Sequence, residues 1–327
     1  MNIRVDQRLR VLQALTPGEL TRREAIADAT GVSDASLAEA VDALVAVVPE
    51  LSIVDEHLLL SAELKLIDSA RFERALTAHS ARIHKASLYA LCESTNSAVL
   101  TQPFAQNGSV NLALAEFQTS GRGRQGRKWT SGFAGGICLT VAQQFKQPVA
   151  STITLAVGVC VAEVLDSLLT DRVLLKWPND LLMGGGKVGG ILVESTLQGS
   201  TCTLRVGVGV NCVAPDAPAH SDGLPALRPV ALNDFVDPPV DRTQLAASLV
   251  QGVLAAMDEH AAEGFAAFVS RWQDRDYLYH QPVQVFDQEH VRHGTAIGIN
   301  AQGELCVRTE EGDRWLGSGD VRVRKRL

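Results

Sequence analysis

No stretch of this 327-residue sequence stays apolar long enough to cross a bilayer. The most apolar run, Ile153–Leu165, contains Thr154, Gly158 and Glu163 and falls short of the roughly 18–20 apolar residues a spanning helix needs. The chain opens with Arg4, Asp6 and Arg8, where a secretory leader would need a basic start and then an apolar core. A cytoplasmic address is expected. The six cysteines, Cys92, Cys138, Cys160, Cys202, Cys212 and Cys306, form no CxxC pair and have no histidine at zinc-ligand spacing. They read as reduced, mostly buried thiols. Repeats, low-complexity tracts and a basic excess are also missing. With a net charge of −7 and a pI near 5.6, the surface as a whole is not built to coat nucleic acid.

What remains is a soluble globular composition, 46% hydrophobic and 20% charged, in a chain long enough for two or three domains. Residues 1–66 read as helical. Val11, Leu12 and Leu15 share a face; a second helix is expected from Thr21 to about Ala29, with Thr21 and Glu24 as a capping box; a third starts at Ser33, an N-cap residue, and runs to about Val45 with Leu37, Val41 and Leu44 on one side. Helix, glycine-containing turn, helix is the helix-turn-helix outline.

From about 67 to 277 strand-like and helix-like segments alternate. Strands are expected at Leu88–Cys92, Asn111–Phe117, Gly136–Gln143, Arg172–Lys176, Gly189–Thr196 and Thr203–Val210, and helices at Ser151–Leu169, from Thr243, and after Gly264. Six of the twelve prolines collect between 213 and 240, which predicts a long surface loop. From Gln281 short strands at Val283–Phe286, Gly294–Ile299, Leu305–Arg308 and Val321–Val323, separated by turn residues, predict a small antiparallel barrel.

Three segments carry chemistry. Gly121-Arg-Gly-Arg-Gln-Gly-Arg-Lys-Trp129 puts three glycines, four cationic residues and a tryptophan into nine positions. Glycines let backbone amides converge on an anion and arginines add charge-assisted hydrogen bonds, so the natural guest carries phosphate; the plainer alternative is a solvated basic loop. Gly121, Gly123 and Gly126 also satisfy the dinucleotide pattern GxGxxG, but that pattern must open a helix, and a glycine-rich stretch and a strand follow here. The second segment is Lys176-Trp-Pro-Asn-Asp180 leading to Lys187 among glycines. Pro178 ends the strand and leaves Asn179 and Asp180 at its edge, as site residues or as simple turn formers. The third is Glu93-Ser-Thr-Asn96, where helix capping is an alternative account of Ser94 or Thr95.

Together with Gln118, Gly185–Leu192, Gly207–Asn211 and Trp315–Arg324, these motifs in this order resemble bifunctional bacterial biotin protein ligases over nearly the full length. The resemblance implies an α+β multi-domain fold: a winged-helix-like domain (1–66), a central mixed-sheet ligase domain of the biotin/lipoate type (67–277) and a small SH3-like β-barrel (278–327). It implies ATP-dependent conversion of biotin to biotinyl-5′-adenylate, then transfer to a lysine of the biotin carboxyl-carrier protein of acetyl-CoA carboxylase. Ser94, Thr95, Asn96 and Gln118 would line the biotin pocket; Arg122, Gly123 and Arg124 would close over it; Lys187 would sit against the carboxylate and α-phosphate. Arg127, Trp129, Lys176, Asn179, Asn211 and Arg324 would meet ATP or the adenylate, with Mg²⁺ carried mainly by the ATP phosphates. Asp180 is expected to orient the acceptor amine and draw off its proton. Lys187, Arg124 and Asp180 thus form the expected catalytic set. A lipoate ligase shares this adenylate logic but not the 121–129 loop, the helix-turn-helix or the C-terminal barrel; a biotin-sensing regulator without catalysis is opposed by Lys187 and the intact loop.

Members with this N-terminal domain often act as biotin-responsive repressors and form homodimers by sheet pairing. Here the second helix of the motif, Ser33–Leu44, holds three acids and no base, and residues 1–65 carry six Lys or Arg against eleven Asp or Glu. The wing, Val54-Asp-Glu-His57, is acidic as well. DNA affinity rests on neutralising phosphates, so DNA is a disfavoured partner.

Overall fold

Residues 3–105, 108–215, 227–286, 291–317 and 322–325 are described by the computed structural model. The first helices follow their apolar spacing: α1 (Gln7–Gln13) buries Leu9, Val11 and Leu12, and α3 (Asp34–Val45) buries Leu37, Val41 and Leu44. Ser33 caps α3 by accepting from the Ser36 amide at 3.4 Å. The expected capping box at Thr21 does not form. Thr21 lies in a strand, β2 (Leu20–Arg22), and α2 (Arg23–Thr30) starts after it with no side-chain cap. Pairing of Thr21 with Leu58 commits that residue to an extended ladder instead. β3 (Leu51–Val54) and β4 (His57–Leu60) form a hairpin turned at Asp55 (φ 54°), and the small sheet has the order β2-β4-β3.

The central sheet has eight strands. Its order is β1-β5-β6-β7-β11-β10-β9-β8, with β1 (Ile3–Val5), β5 (Ile83–Cys92), β6 (Val110–Gln118), β7 (Gly136–Phe145), β8 (Leu174–Lys176), β9 (Asp180–Met183), β10 (Gly186–Gln198) and β11 (Thr201–Asn211). The β1–β5 and β5–β6 pairs are parallel and the others antiparallel. Residues 3–5 therefore belong to the central sheet, although the helices that follow them do not. α4 (Ser69–Ala75) and the short α5 (Thr95–Ala98) flank this sheet. α6 (Ile153–Asp166) and α7 (Arg242–Glu263) pack together across it; the near-continuous apolar sequence of α6 is explained by burial on almost every side.

α8 (Val269–Gln273) leads to a five-stranded sheet of order β15-β14-β13-β12-β16, built from β12 (Pro282–Phe286), β13 (Val291–Ile299), β14 (Leu305–Thr309), β15 (Gly312–Leu316) and β16 (Arg322–Lys325). The Trp177 indole donates to the Gly303 carbonyl at 3.0 Å, joining this sheet to the central one. Part of the proline-rich loop, 216–226, and part of the closing motif, 318–321, lie outside the described residues. Among the described residues no helix is long and apolar enough to cross a membrane, and the six cysteines are unpaired, five of them buried.

A buried ion pair holds the linker into α4 against the central sheet. Arg242, at the start of α7, pairs with Glu116 of β6, which is 1% exposed. Glu116 also accepts from the Ile67 amide at 2.6 Å, while Arg242 donates to the carbonyls of Lys65 and Gly136.

Candidate active site

Edge polarity and glycine placement turn the upper ends of β5, β6, β7, β10 and β11 into a cleft. β5 ends at Cys92, and Ser94 takes the N-cap position of α5. Its hydroxyl makes no capping bond, so capping does not account for it and it lines the cleft instead. Thr95 gives both its amide (2.7 Å) and its hydroxyl (3.2 Å) to the Gln118 Oε1. This leaves the Gln118 Nε2 beneath Gly121. The Thr140 hydroxyl lies 2.8 Å from Thr95 Oγ1 and 2.6 Å from Asn96 Oδ1. A fixed row of polar groups results, and Asn96, 2% exposed, fits only because position 207 is glycine: a Cβ there would lie 2.7 Å from Asn96 Oδ1.

The 121–129 segment is a tight hairpin over this row. Gly123 N donates to Arg127 O (2.7 Å), Trp129 N donates to Gly121 O (2.9 Å), and Arg122 and Lys128 form a β-bridge. Gln125 (φ 54°) and Gly126 (φ 72°) turn it, and a strand rather than a long helix follows. The dinucleotide reading of the three glycines is thereby excluded. The Trp129 ring lies against Gly209 of β11, where a Cβ would come within 2.6 Å of it.

Lys187, also in the lining, lies just past the Gly184–Gly185 turn, next to a register shift in the β9–β10 ladder. It is ion-paired with Asp180, which also faces Lys176 at 3.6 Å, and its ammonium is 5.9 Å from the Trp129 ring centroid. Burial pushes the Asp180 carboxyl upward, but Lys187 and Lys176 outweigh it and hold the pKa down at about 2. Burial, together with Arg127, pulls the Arg124 guanidinium below its ordinary value against the opposing pull of Asp180. Cys138 lines the cleft too, but burial pushes its thiol up to about 11, which makes it an inert wall.

The cleft is concave and open to solvent, with polar groups converging on it as in small-ligand sites. Its lining brings together Ser94, Thr95, Asn96, Gln118, Arg122, Gly123, Arg124, Arg127, Trp129, Asn179, Asp180 and Lys187 from segments far apart in sequence. Asn179 is partly committed, donating to the Ile191 carbonyl at 2.8 Å. Lys176 is outside the lining and faces Asp180 at 3.6 Å. Asn211 is not in the lining: it is buried at the end of β11 and donates to the Val230 carbonyl at 3.1 Å. Arg324 lies on β16 opposite Gln284, and its side chain is outside the described residues. Sequence reasoning passed over Thr140, Ser97, Glu194 and Arg205. Thr140 carries a signal, a lone hydroxyl in the apolar buried stretch 137–142; Glu194 and Arg205 look like ordinary solvated strand residues.

Residues 88–211 match the Biotin/lipoate A/B protein ligase family and residues 281–324 the Biotin protein ligase C terminal domain. The chain is 33% identical over 238 residues to the bifunctional ligase/repressor BirA of Escherichia coli (71% of this chain, 72% of that one). To the biotin--[acetyl-CoA-carboxylase] ligase of Paracoccus denitrificans it is 31% identical over 241 residues (72% and 98%). The fold is that of the biotin protein ligase of Aquifex aeolicus in complex with biotin and ATP, with a TM-score of 0.60 at 24% identity, covering 73% of this chain and 98% of that one. At that identity and coverage, with the two matched family segments in the same order, the chain belongs to the biotin protein ligase family.

Proposed function

We propose that this chain is a biotin–carboxyl-carrier ligase. The biotin carboxylate attacks the α-phosphorus of ATP and pyrophosphate leaves. An acceptor lysine amine of the carrier domain of acetyl-CoA carboxylase then attacks the acyl carbon, AMP leaves and an amide forms. The observation that carries this reading is the convergence of Lys187, Arg124 and Arg127 around Asp180 in the same cleft as the Thr95–Gln118–Asn96 row. Two anions must be brought together there, and preorganised cations are what lowers that barrier.

The polar row suits a ureido ring, with Gln118 Nε2 and the Ser94 hydroxyl as the groups left to meet it. The 121–129 hairpin, carrying Arg122, Gly123 and Arg124, covers the carboxylate and keeps water from the mixed anhydride. Arg127 and Trp129 lie along the nucleotide side, with Asn179 at its edge; Lys176 acts by balancing Asp180. We assign Asn211 to holding Val230 and not to touching nucleotide. Mg²⁺ fits only as an ion carried in on the polyphosphate: Asp180 is the one carboxylate in the lining and already faces two ammonium groups. When bound, it neutralises phosphate charge.

Asp180 is a poor proton acceptor. A carboxyl held at about 2 against an amine near ~10.4 leaves proton transfer strongly uphill. It stays ionised, holds Lys187 in place and attracts the incoming ammonium, which loses its proton to solvent.

We read residues 1–66 as a winged-helix-like unit, supported by three helices and the β2-β4-β3 sheet, and residues 278–327 as an SH3-like barrel, supported by its five short antiparallel strands; 67–277 is the ligase domain. The exposed face of α3 carries Asp34, Glu39 and Asp42, and the hairpin tip Asp55 and Glu56. This acidic face disfavours DNA, so we assign the unit first to bracing the ligase sheet, with operator binding the disfavoured second role. A homodimer built by sheet pairing has an available edge, since among the described residues β10 beyond Gly190 pairs with β11 alone. ATP and a carboxylase acceptor put the reaction in the cytoplasm. Incubation with biotin, ATP and Mg²⁺ should yield biotinyl-adenylate, and added carrier domain should gain the mass of biotin; formation of neither would overturn the assignment.

A further inference from the structure

Glu194 is absent from the cleft lining yet touches both halves of the site. It stands on β10 opposite Arg205. A single oxygen, Oε2, accepts from the Asn96 amide at 2.8 Å and from the Arg122 guanidinium at 3.2 Å, with Arg205 at 3.9 Å. Arg205 in turn donates to the Asn96 carbonyl at 3.4 Å and to Thr196 at 3.2 Å. Arg122 completes the group by donating to the Ser97 hydroxyl at 3.0 Å, one residue from Asn96.

This arrangement has two effects. First, Asn96 has its oxygen against Thr140 and its nitrogen on Glu194, so its amide cannot flip without breaking two contacts. Second, the same carboxylate that fixes Asn96 receives the cation at the base of the 121–129 hairpin. A solvated strand carboxylate would satisfy neither requirement, and at 29% exposure Glu194 is not one.

We propose that Glu194 is a positioning residue that couples the polar row of the cleft to its cover: it orients Asn96 and latches Arg122, so that the hairpin is held down most firmly when the row is in register. Glu194 touches no reacting atom. The proposal rests on the biotin-ligase reading for the identity of the ligand, but the latch itself is a property of the empty protein.

The test compares wild type, Glu194→Gln, Arg122→Gln and the double variant in three measurements: trypsin nicking after Arg124, Arg127 or Lys128 with no ligand, KM and kcat for biotin in adenylate formation, and the rate of adenylate release. Glu194→Gln should speed nicking of the empty hairpin three- to tenfold, raise the KM for biotin by a similar factor with kcat within twofold, and hasten adenylate release. The double variant should release adenylate no faster than Arg122→Gln alone, because both changes cut one link. Unchanged nicking and KM, additive effects on release, or a fall in kcat at constant KM would each overturn the latch. Should Glu194→Gln melt at a much lower temperature, Arg122→Gln, at a side chain 42% exposed, carries the nicking and KM tests alone. Absence of adenylate from wild type would remove the ligase reading but leave the nicking comparison to decide the latch.

Discussion

Replacing Gly207 by alanine tests the tie between β11 and the biotin end of the cleft. The added methyl would lie 2.7 Å from Asn96 Oδ1, 3.1 Å from the Leu192 carbonyl and 3.3 Å from Asn96 Cγ. Ordinary contacts of this kind begin near ~3.5 Å, so something must move by several tenths of an ångström. The Leu192 carbonyl belongs to the β10 ladder and is fixed. Asn96 must therefore yield, although it is 2% exposed and bonded to Thr140 and Glu194. Overpacking of this sort costs about 1–3 kcal/mol. Because the strain falls on a residue of the binding row, it appears as lost affinity. At about 1.4 kcal/mol per tenfold, biotin binding should weaken by roughly 5- to 150-fold. Titration calorimetry with biotin alone, before any ATP, measures this directly. A dissociation constant within twofold of wild type would show that Asn96 is not held as described.

Arg242→Met strips the partner from Glu116, which is 1% exposed, and leaves a buried charge; about 3–5 kcal/mol of stability should be lost in urea unfolding, with Glu116→Leu/Arg242→Met recovering part of it, and a single variant unfolding like wild type would refute the pair's importance. Asp276 gives a pH signature. Burial pushes its carboxyl up to about 6, and its Oδ2 has no hydrogen-bond partner; the folded state thus holds a proton that the unfolded state gives up, so stability from this group is full below about pH 4 and lost as pH rises through 6. Asp276→Asn should flatten that slope and gain about 2–3 kcal/mol at pH 7–8, seen as non-parallel melting profiles between pH 4 and 8. Asp180→Asn frees Lys187 and should slow single-turnover transfer from preformed adenylate at least tenfold, whereas the wild-type rate should follow the acceptor amine's titration between pH 7 and 9; equal rates in the two proteins would discard the positioning role.

The motifs of the site were legible because each contains residues that are costly anywhere else: glycines beside a tryptophan, a lone lysine in a glycine run, polar residues closing an apolar strand. The sequence also placed the long helices and most strands, where apolar spacing dominates. It failed where a contact distant in the chain decides. Thr21 reads as a cap but pairs with Leu58. Asp180–Met183 follows a proline and is too short to show alternation, yet it forms β9 against Lys187 and Gly190. Asn211 carries the same local pattern as a ligand-facing asparagine but is turned toward Val230. Glu194 acquires meaning only when β10 brings it to Asn96 and Arg122.

The pairing of β1 with β5 has a consequence for how the chain is made. Ile3 faces Ala86 and Val5 faces Leu88, so the first strand leaves the ribosome some eighty residues before its partner. In that interval the helices between them have time to form, and Asp6, whose carboxylate accepts from both the Leu9 and Ala90 amides, marks the point where the finished module is fastened. The module is a closed loop between two neighbouring strands and not a bead on a tether. Because β1 is the edge strand of the ligase sheet, a truncation that removes everything up to and including the helices removes a strand of the enzyme with them.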